Sequence, residues 1–204
     1  MHNEDCRNTM QRDGFAYDYA LWGPPDYSEL GIEPLDSQWD DLLGDVIDAL
    51  LPVPTTVALT DRKHNGTIIC KGSRIAEMFA ARGWEMIGQK IWVKSFKRNL
   101  YRLNFSHVYS FRRKGAKVKQ HHADAYERDC WNLPEGKYRG FAFGFPVGLA
   151  IRCLANFTTP GDVVYDPFAG SGTTGAAASE ALCDFIGSEI NPRAFNLACE
   201  RLGC

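Results

Sequence analysis

Two stretches of this 204-residue sequence carry residue types at spacings that could do chemistry. The first is Val163-Val164-Tyr165-Asp166-Pro167-Phe168-Ala169-Gly170-Ser171-Gly172-Thr173-Thr174, which reads as an apolar strand, an acidic residue, a tight glycine-bearing turn and a helix start. Glycine matters there because a ligand approaches the backbone only where Cβ is missing, and positive φ costs glycine nothing. In a doubly wound sheet such a turn lies beyond a strand's C-terminal end, where nucleotide-like ligands sit. Glu189 follows Asp166 by 23 residues and closes the next strand, the place of a carboxylate that accepts ribose hydroxyls. The loop is not Gly-x-Gly-x-x-Gly and lacks the Gly-Lys-Ser/Thr of a phosphate-binding loop. With an acid ahead of it, a ligand bearing a cationic amine fits better than one bearing pyrophosphate.

The second stretch is residues 86–122, with ten Lys/Arg (Lys90, Lys94, Lys97, Arg98, Arg102, Arg112, Arg113, Lys114, Lys117, Lys119) and no Asp or Glu. The net charge of −2 therefore hides about −12 elsewhere. Interleaved with Trp92, Phe96, Tyr101, Phe105, Tyr109 and Phe111, these cations form either a phosphate-backbone footprint or a solvated basic face balancing an acidic neighbour. The aromatics themselves read more readily as core than as base-stacking platforms. His121-His122 has no ligand partner at metal-binding spacing and reads as solvated loop.

Elements able to position these groups alternate along the chain. Tyr17–Trp22 reads as a strand stopped by Gly23-Pro24-Pro25, and Gln38–Leu51 has the 3.6-residue apolar period of a helix ended by Pro52 and Pro54. Thr55–Thr60 is a strand followed by a polar turn over 61–66, and Ser73–Ala81 a short helix. Asp61-Arg62-Lys63 closes that strand, facing the site or forming a salt-bridged strand end. Met86–Val93 and Ser106–Phe111 are segments that pair antiparallel, and 112–130 is polar and irregular. Pro146–Phe157 is helical, with proline in its first turn. Asp162–Asp166, 173–182, Asp184–Glu189 and Pro192–Leu202 then read strand, helix, strand, helix. The pattern predicts one open α/β domain over 1–204, with helices on both sheet faces. Its composition, 45% hydrophobic and 24% charged, is that of a globular protein, without an apolar run long enough for a membrane span. The N-terminus lacks a signal-peptide pattern, and seven scattered cysteines without a CxxC pair predict reduced thiols in a cytosol.

Asp166–Thr174 followed by Ile186-Gly187-Ser188-Glu189-Ile190-Asn191-Pro192 closely resembles the S-adenosylmethionine-binding motifs of the DNA amino-methyltransferases. Upstream, Asp129-Cys130-Trp131-Asn132-Leu133-Pro134 and Gly144-Phe145-Pro146-Val147-Gly148-Leu149 look like the family's element preceding the cofactor loop. Lys90–Lys94 and Ser106–Arg113 are similar to its target-side strands. Leu21-Trp22-Gly23-Pro24-Pro25-Asp26-Tyr27 stands in the place of its catalytic motif, and Glu4-Asp5-Cys6 resembles the Gly-Asp-Cys run beside the adenine. The resemblance covers nearly the whole chain, and its order, catalytic motif first and cofactor loop last, is that of the permuted beta class.

The resemblance implies a Rossmann-like methyltransferase fold, a mostly parallel sheet with an antiparallel hairpin. It implies S-adenosylmethionine held by Asp5, Phe145, Pro146, Asp166, Pro167, Phe168, Ala169, Gly170, Ser171, Gly172, Thr173, Thr174, Glu189 and Asn191, and methyl transfer to an amino group of an extruded DNA base at Gly23–Tyr27. Family members read Asp, Asn or Ser, then Pro-Pro, then an aromatic ring. Here Gly23 supplies no acceptor and Asp26 cannot stack. Three readings are open: Asp26 is the acceptor and Tyr27 the stacking ring; the site suits a modified base; or the chain binds cofactor or DNA without efficient catalysis. Gly23 favours neither adenine N6 nor cytosine N4 by itself, and adenine is taken as the expectation. A methyltransferase acting on RNA or protein glutamine is a rival that the motif order speaks against. Target reading falls to residues 95–130, through Lys94, Lys97, Arg98, Arg102, Arg112, Arg113, Lys114, Lys117 and Lys119. DNA is the expected partner, with a homodimer or a cognate restriction endonuclease beside it, in the cytoplasm of a bacterium or a phage-infected cell.

Overall fold

The computed structural model describes all residues except 13, 95–102, 123, 137 and 140–143, and the backbone alone of 124 and 125. Lys97, Arg98, Arg102, Phe96 and Tyr101 lie outside the described residues. Seven strands form one sheet in the order β7-β5-β6-β2-β1-β8-β9, from β1 (Tyr19–Trp22), β2 (Thr55–Leu59), β5 (Trp84–Val93), β6 (Phe105–Arg113), β7 (Cys130–Asn132), β8 (Val163–Asp166) and β9 (Asp184–Gly187). β1 pairs parallel with β2 and β8, β8 with β9 and β5 with β7, whereas β6 runs against both of its neighbours. This is the mixed, mostly parallel sheet expected.

Alternation in β1 shows why both faces are covered. Ala20 and Trp22 point to one side, into a core with Trp39, Leu43, Val46 and Ile47 of α3 (Ser37–Ala49) and Ile75 and Phe79 of α4 (Lys71–Ala81). Tyr19 and Leu21 point to the other, against Leu149, Cys153 and Leu154 of α6 (Val147–Phe157) and Ala177 and Ala178 of α7 (Thr173–Glu180). Strands buried on both faces read as continuous apolar runs, as YALW and TTVAL do. Trp22, Trp39, Tyr27 and Phe79 are wholly buried, each contributing roughly 1.5–3 kcal/mol or more. α3 begins where Asp36 accepts the Gln38 N–H at 2.9 Å, and α8 (Pro192–Leu202) where Asn191 accepts those of Arg193 and Ala194.

Four short elements depart from the expected pattern. The polar turn over 61–66 is a hairpin, β3 (Arg62–His64) with β4 (Thr67–Ile69), turned by Asn65 and Gly66 at φ of 47° and 78°. α4 starts at Lys71, two residues before Ser73. Asp26 nucleates a one-turn helix, α2 (Tyr27–Leu30), through a capping box with Glu29. Where the stretch expected to be irregular ends, Cys130 begins β7, a strand that β5 templates, with Trp131 in register opposite Trp92. α1 (Cys6–Met10) and α5 (Asp124–Glu127) complete the chain. Among the described residues no helix is long and apolar enough to cross a membrane.

Candidate active site

β1 connects through α3 to β2 on one side, while β8 connects through α7 to β9 on the other. The loops leaving β1 and β8 therefore diverge, and a crevice opens beyond the strands' C-terminal ends, as it must where strand order reverses. It measures about 810 Å³. Every residue nominated for catalysis or cofactor binding lines it except Tyr27, Pro146 and Gly172.

The β8–β9 half is acidic. Asp166 is 3% exposed and accepts from Phe168 N–H at 2.9 Å and from Thr174 Oγ1 at 2.6 Å. Burial pushes its carboxyl up to about 7, against those two hydrogen bonds. Glu189 accepts from Gly170 N–H at 2.8 Å and Asn191 N–H at 2.7 Å, and burial raises it too. Among the described residues no cation offsets either acid, so a ligand offering a positive amine to Asp166 and hydroxyls to Glu189 would supply what the protein leaves out. The loop can wrap such a ligand because Gly172 stands at φ 76°, where a Cβ would come 3.2 Å from that of Ala198. Pro146 serves as the N-cap residue of α6 and holds Phe145 at the cleft wall. The N-terminal segment closes this half: His2 pairs with Ser188, and Ser188 Oγ donates to Thr9 Oγ1 at 2.9 Å. Asp5 caps α1 and is bound by Arg7 at 2.7 Å; that hydrogen bond holds its carboxyl below the usual range despite burial.

The β1–β2 half carries the altered motif. At Gly23 a Cβ would meet the Ala58 carbonyl at 3.1 Å and Phe145 Cε1 at 3.6 Å, so the wall is closed where a side-chain acceptor would start. The Pro25 carbonyl is taken by the Trp39 indole N–H at 2.9 Å. Asp26 faces the cleft, pairing with Arg62 and, at 3.0 Å, with Lys71 Nζ. Burial would raise its carboxyl, but Lys71 and Arg62 outweigh burial and hold it low. Tyr27 corrects the expectation of a stacking ring: wholly buried against Trp39, it starts α2 and cannot meet a base. Lys71, 3% exposed, is not singled out by the sequence, where the helix pattern begins only at Ser73. Asp61 faces the cleft and is hydrogen-bonded to His107 Nε2 at 3.1 Å, and it accepts Gly72 N–H at 2.8 Å.

The basic segment is divided by the direction of β6. Ser106 lines the cleft, as do Trp92 and Lys94, whose Nζ donates to Thr60 Oγ1 at 2.6 Å. Seven residues on, at roughly 3.3 Å each, Arg113 stands opposite Trp84 at the other end of the sheet. There Arg112 pairs with Glu85 at 3.1 Å, and Arg113 lies over the Trp84 ring and donates to the Arg82 carbonyl. Lys114, Lys117 and Lys119 are exposed along the stretch leading to the last turn of α6, where His121 N–H meets the Asn156 carbonyl. The cations described are thus divided: Lys94 lines the cleft, whereas Arg112 and Arg113 sit about 20 Å along β6 from its edge. Trp92, Tyr109 and Phe111 are buried, as the core reading has it, and His121 and His122 are exposed.

Residues 36–200 match the family model of the N6/N4 methyltransferases, described as DNA methylase. The type II methyltransferase M.Cfr9I of Citrobacter freundii is 38% identical over 76 residues, 37% of this chain and 25% of that protein. The DNA adenine methyltransferase YhdJ of Escherichia coli K12 is 38% identical over 79 residues, 36% of this chain and 27% of that protein. The matched stretches thus span about a quarter of these relatives' length. The TTHA0409 protein of Thermus thermophilus, crystallised with S-adenosyl-L-methionine, superposes with a TM-score of 0.78 at 21% identity, covering 99% of this chain and 93% of that one. The match across 36–200 settles kinship: the chain belongs to the N6/N4 DNA methylase family.

Proposed function

We propose that this chain binds S-adenosylmethionine over β8 and β9 and transfers its methyl group to an exocyclic amino group of a DNA base turned into the cleft over β1 and β2. One observation carries the reading: the uncompensated acids Asp166 and Glu189 and the Gly23–Asp26 turn open into the same crevice. The bound cofactor supplies an electrophilic methyl on a sulfonium centre. Asp166 holds the cofactor's amine and Glu189 its ribose hydroxyls. Asp26, kept ionised by Lys71 and Arg62, offers the amino nitrogen a carboxylate acceptor that Gly23 cannot. Adenine N6 is favoured over cytosine N4, supported by the likeness to YhdJ. Gly23 ahead of Asp166 in the chain supports the permuted class. A second copy and a cognate endonuclease belong to the reading as protein partners.

The test is transfer of labelled methyl to DNA from a methylation-deficient host, followed by digestion and mass identification of the nucleoside. Asp26→Ala is expected to lower kcat about 100-fold or more, as loss of a single charge-stabilising group does. A non-catalytic cofactor-dependent DNA-binding module is the second reading, favoured by the buried Tyr27 and by the commitment of Asp26 to two cations. Cofactor binding with no transfer to any DNA would select it.

DNA is placed at the cleft edge in this reading. Replacing Lys114, Lys117 and Lys119 together by Gln is expected to leave the slope of log K against log salt unchanged within about half a unit. Lys94→Gln is expected to lower it by about one. Titration of duplex DNA at several salt concentrations checks both.

A further inference from the structure

The β3–β4 hairpin stands on the cleft rim, and its outer residues do nothing for the core. It leaves the C-terminal edge of β2, where Arg62 and Lys63 line the cleft, and returns to it at Ile69, which is 6% exposed. In its register Arg62 faces Ile69, Lys63 faces Ile68 and His64 faces Thr67. Side chains alternate across a ribbon, so Lys63 and Ile68 share the face opposite buried Ile69. Ile68 is 52% exposed. Asn65 and Gly66, both at positive φ, close the two-residue connection that matches strand twist.

A single exposed isoleucine means nothing in itself. This one stands beside a lysine, on a hairpin at the mouth of the cleft that the extruded base enters in this reading. A cation can meet phosphate there, while a β-branched apolar side chain can press on a base step that has lost its stacking partner. Of the basic residues expected to fill this role, Lys94 lines the cleft, Lys97, Arg98 and Arg102 lie outside the described residues, and Arg112 and Arg113 lie at the opposite end of β6.

We propose that the β3–β4 hairpin contacts the duplex beside the extruded base, with Lys63 on the phosphate backbone and Ile68 against the vacated step. The proposal rests on DNA being the substrate, as argued above. Its test is fluorescence-anisotropy titration of mixed-sequence duplex DNA by the full chain with S-adenosylmethionine present, comparing wild type, Ile68→Ser, Lys63→Gln and, as a distant control, Lys117→Gln. Ile68→Ser is expected to weaken duplex binding about fivefold to tenfold, and Lys63→Gln to lower the salt slope by about one. Lys117→Gln is expected to change neither, and all four proteins to keep the same melting temperature and cofactor affinity. Wild-type affinity and slope in both hairpin variants would overturn the proposal. If the wild type binds no duplex, hairpin and substrate reading fall together. If it binds, loses affinity through Ile68→Ser and yet transfers no methyl, the hairpin stands and only the enzymatic reading falls.

Discussion

Asp166→Asn is expected to weaken S-adenosylmethionine binding roughly 30- to 150-fold while making the ligand-free protein more stable at neutral pH. Both effects come from one buried carboxyl. A hydrogen bond to a charged partner contributes about 2–3 kcal/mol, and the amide keeps the shape but not the charge that a cationic amine requires. In the ligand-free chain the same charge is a burden, since Asp166 is 3% exposed and its two partners, Phe168 N–H and Thr174 Oγ1, are neutral. Asparagine Oδ1 still accepts the Phe168 N–H, and the Thr174 hydroxyl can rotate to accept from the amide.

The sign of the pH dependence follows. The folded carboxyl titrates at about 7, above the roughly 3.9 of an unfolded aspartate, so between those values the native state binds more protons. Wild-type stability from this group is therefore fully present below about pH 4 and is lost as pH rises through about 7. Asp166→Asn lacks that slope. Cofactor affinity runs the other way, because the ammonium wants the carboxylate: in the wild type it rises towards about pH 7 and falls again as the cofactor's α-amine, about 7.7–8.0 when free, loses its charge, and in the variant the rise is absent. Thermal melts and calorimetric titrations from pH 5 to 9 check both halves, and equal affinity of the two proteins at pH 8 would remove Asp166 from the amine site.

What the sequence disclosed about this molecule follows the length of each signal. α3 carries a 13-residue apolar stripe with a cap at Asp36 and stop signals at Pro52 and Pro54, and it lies where its pattern puts it. The strand, turn and helix start over Asp166 to Thr174 are legible because a tight turn constrains many adjacent residues at once. Tyr27 misleads because motif spacing cannot say which way a ring points; the capping box of Asp26 and Glu29 turns the chain into α2 and drives Tyr27 into the core against Trp39. Lys71 escapes notice because its role depends on Asp26, 45 residues away. The basic segment divides in a way that composition does not show, for a similar reason. Composition counts charge along the chain, but a strand nine residues long carries one end of its charge away from the other, and β6 runs from the cleft to the far edge of the sheet.

Gly172→Val should be the most damaging single substitution in the cofactor loop. The left-handed conformation at φ 76° costs a side-chain-bearing residue about 1–2 kcal/mol, and a β-branched one more. The added carbons also meet Ala198 Cβ at 3.2 Å, Ala198 Cα at 3.3 Å and Leu202 Cδ1 at 3.3 Å, all from α8, and forcing such contacts costs roughly 1–3 kcal/mol. Together these predict a loss of about 3–5 kcal/mol, or a melting temperature lower by roughly 6–20 °C for a chain of this size. Gly161→Ala separates the two causes: it also sits at positive φ, 91°, but its Cβ would meet nothing within 4 Å, so only the conformational cost of about 1–2 kcal/mol applies. The functional consequence is distinct from the loss of stability. Gly172 turns the chain into α7, and its carbonyl accepts the Ala176 N–H at 2.9 Å, while Arg201 of α8 reaches the Ser171 carbonyl and Thr173 Oγ1. A displaced residue 172 therefore moves the loop away from Glu189 as well as from α8. S-adenosylmethionine at a hundred times its Kd should raise wild-type stability by about 2.7 kcal/mol. That rise should persist in Gly161→Ala and vanish in Gly172→Val; a Gly172→Val protein that melts early yet keeps the full ligand-induced rise would show that the loop holds its shape without the glycine.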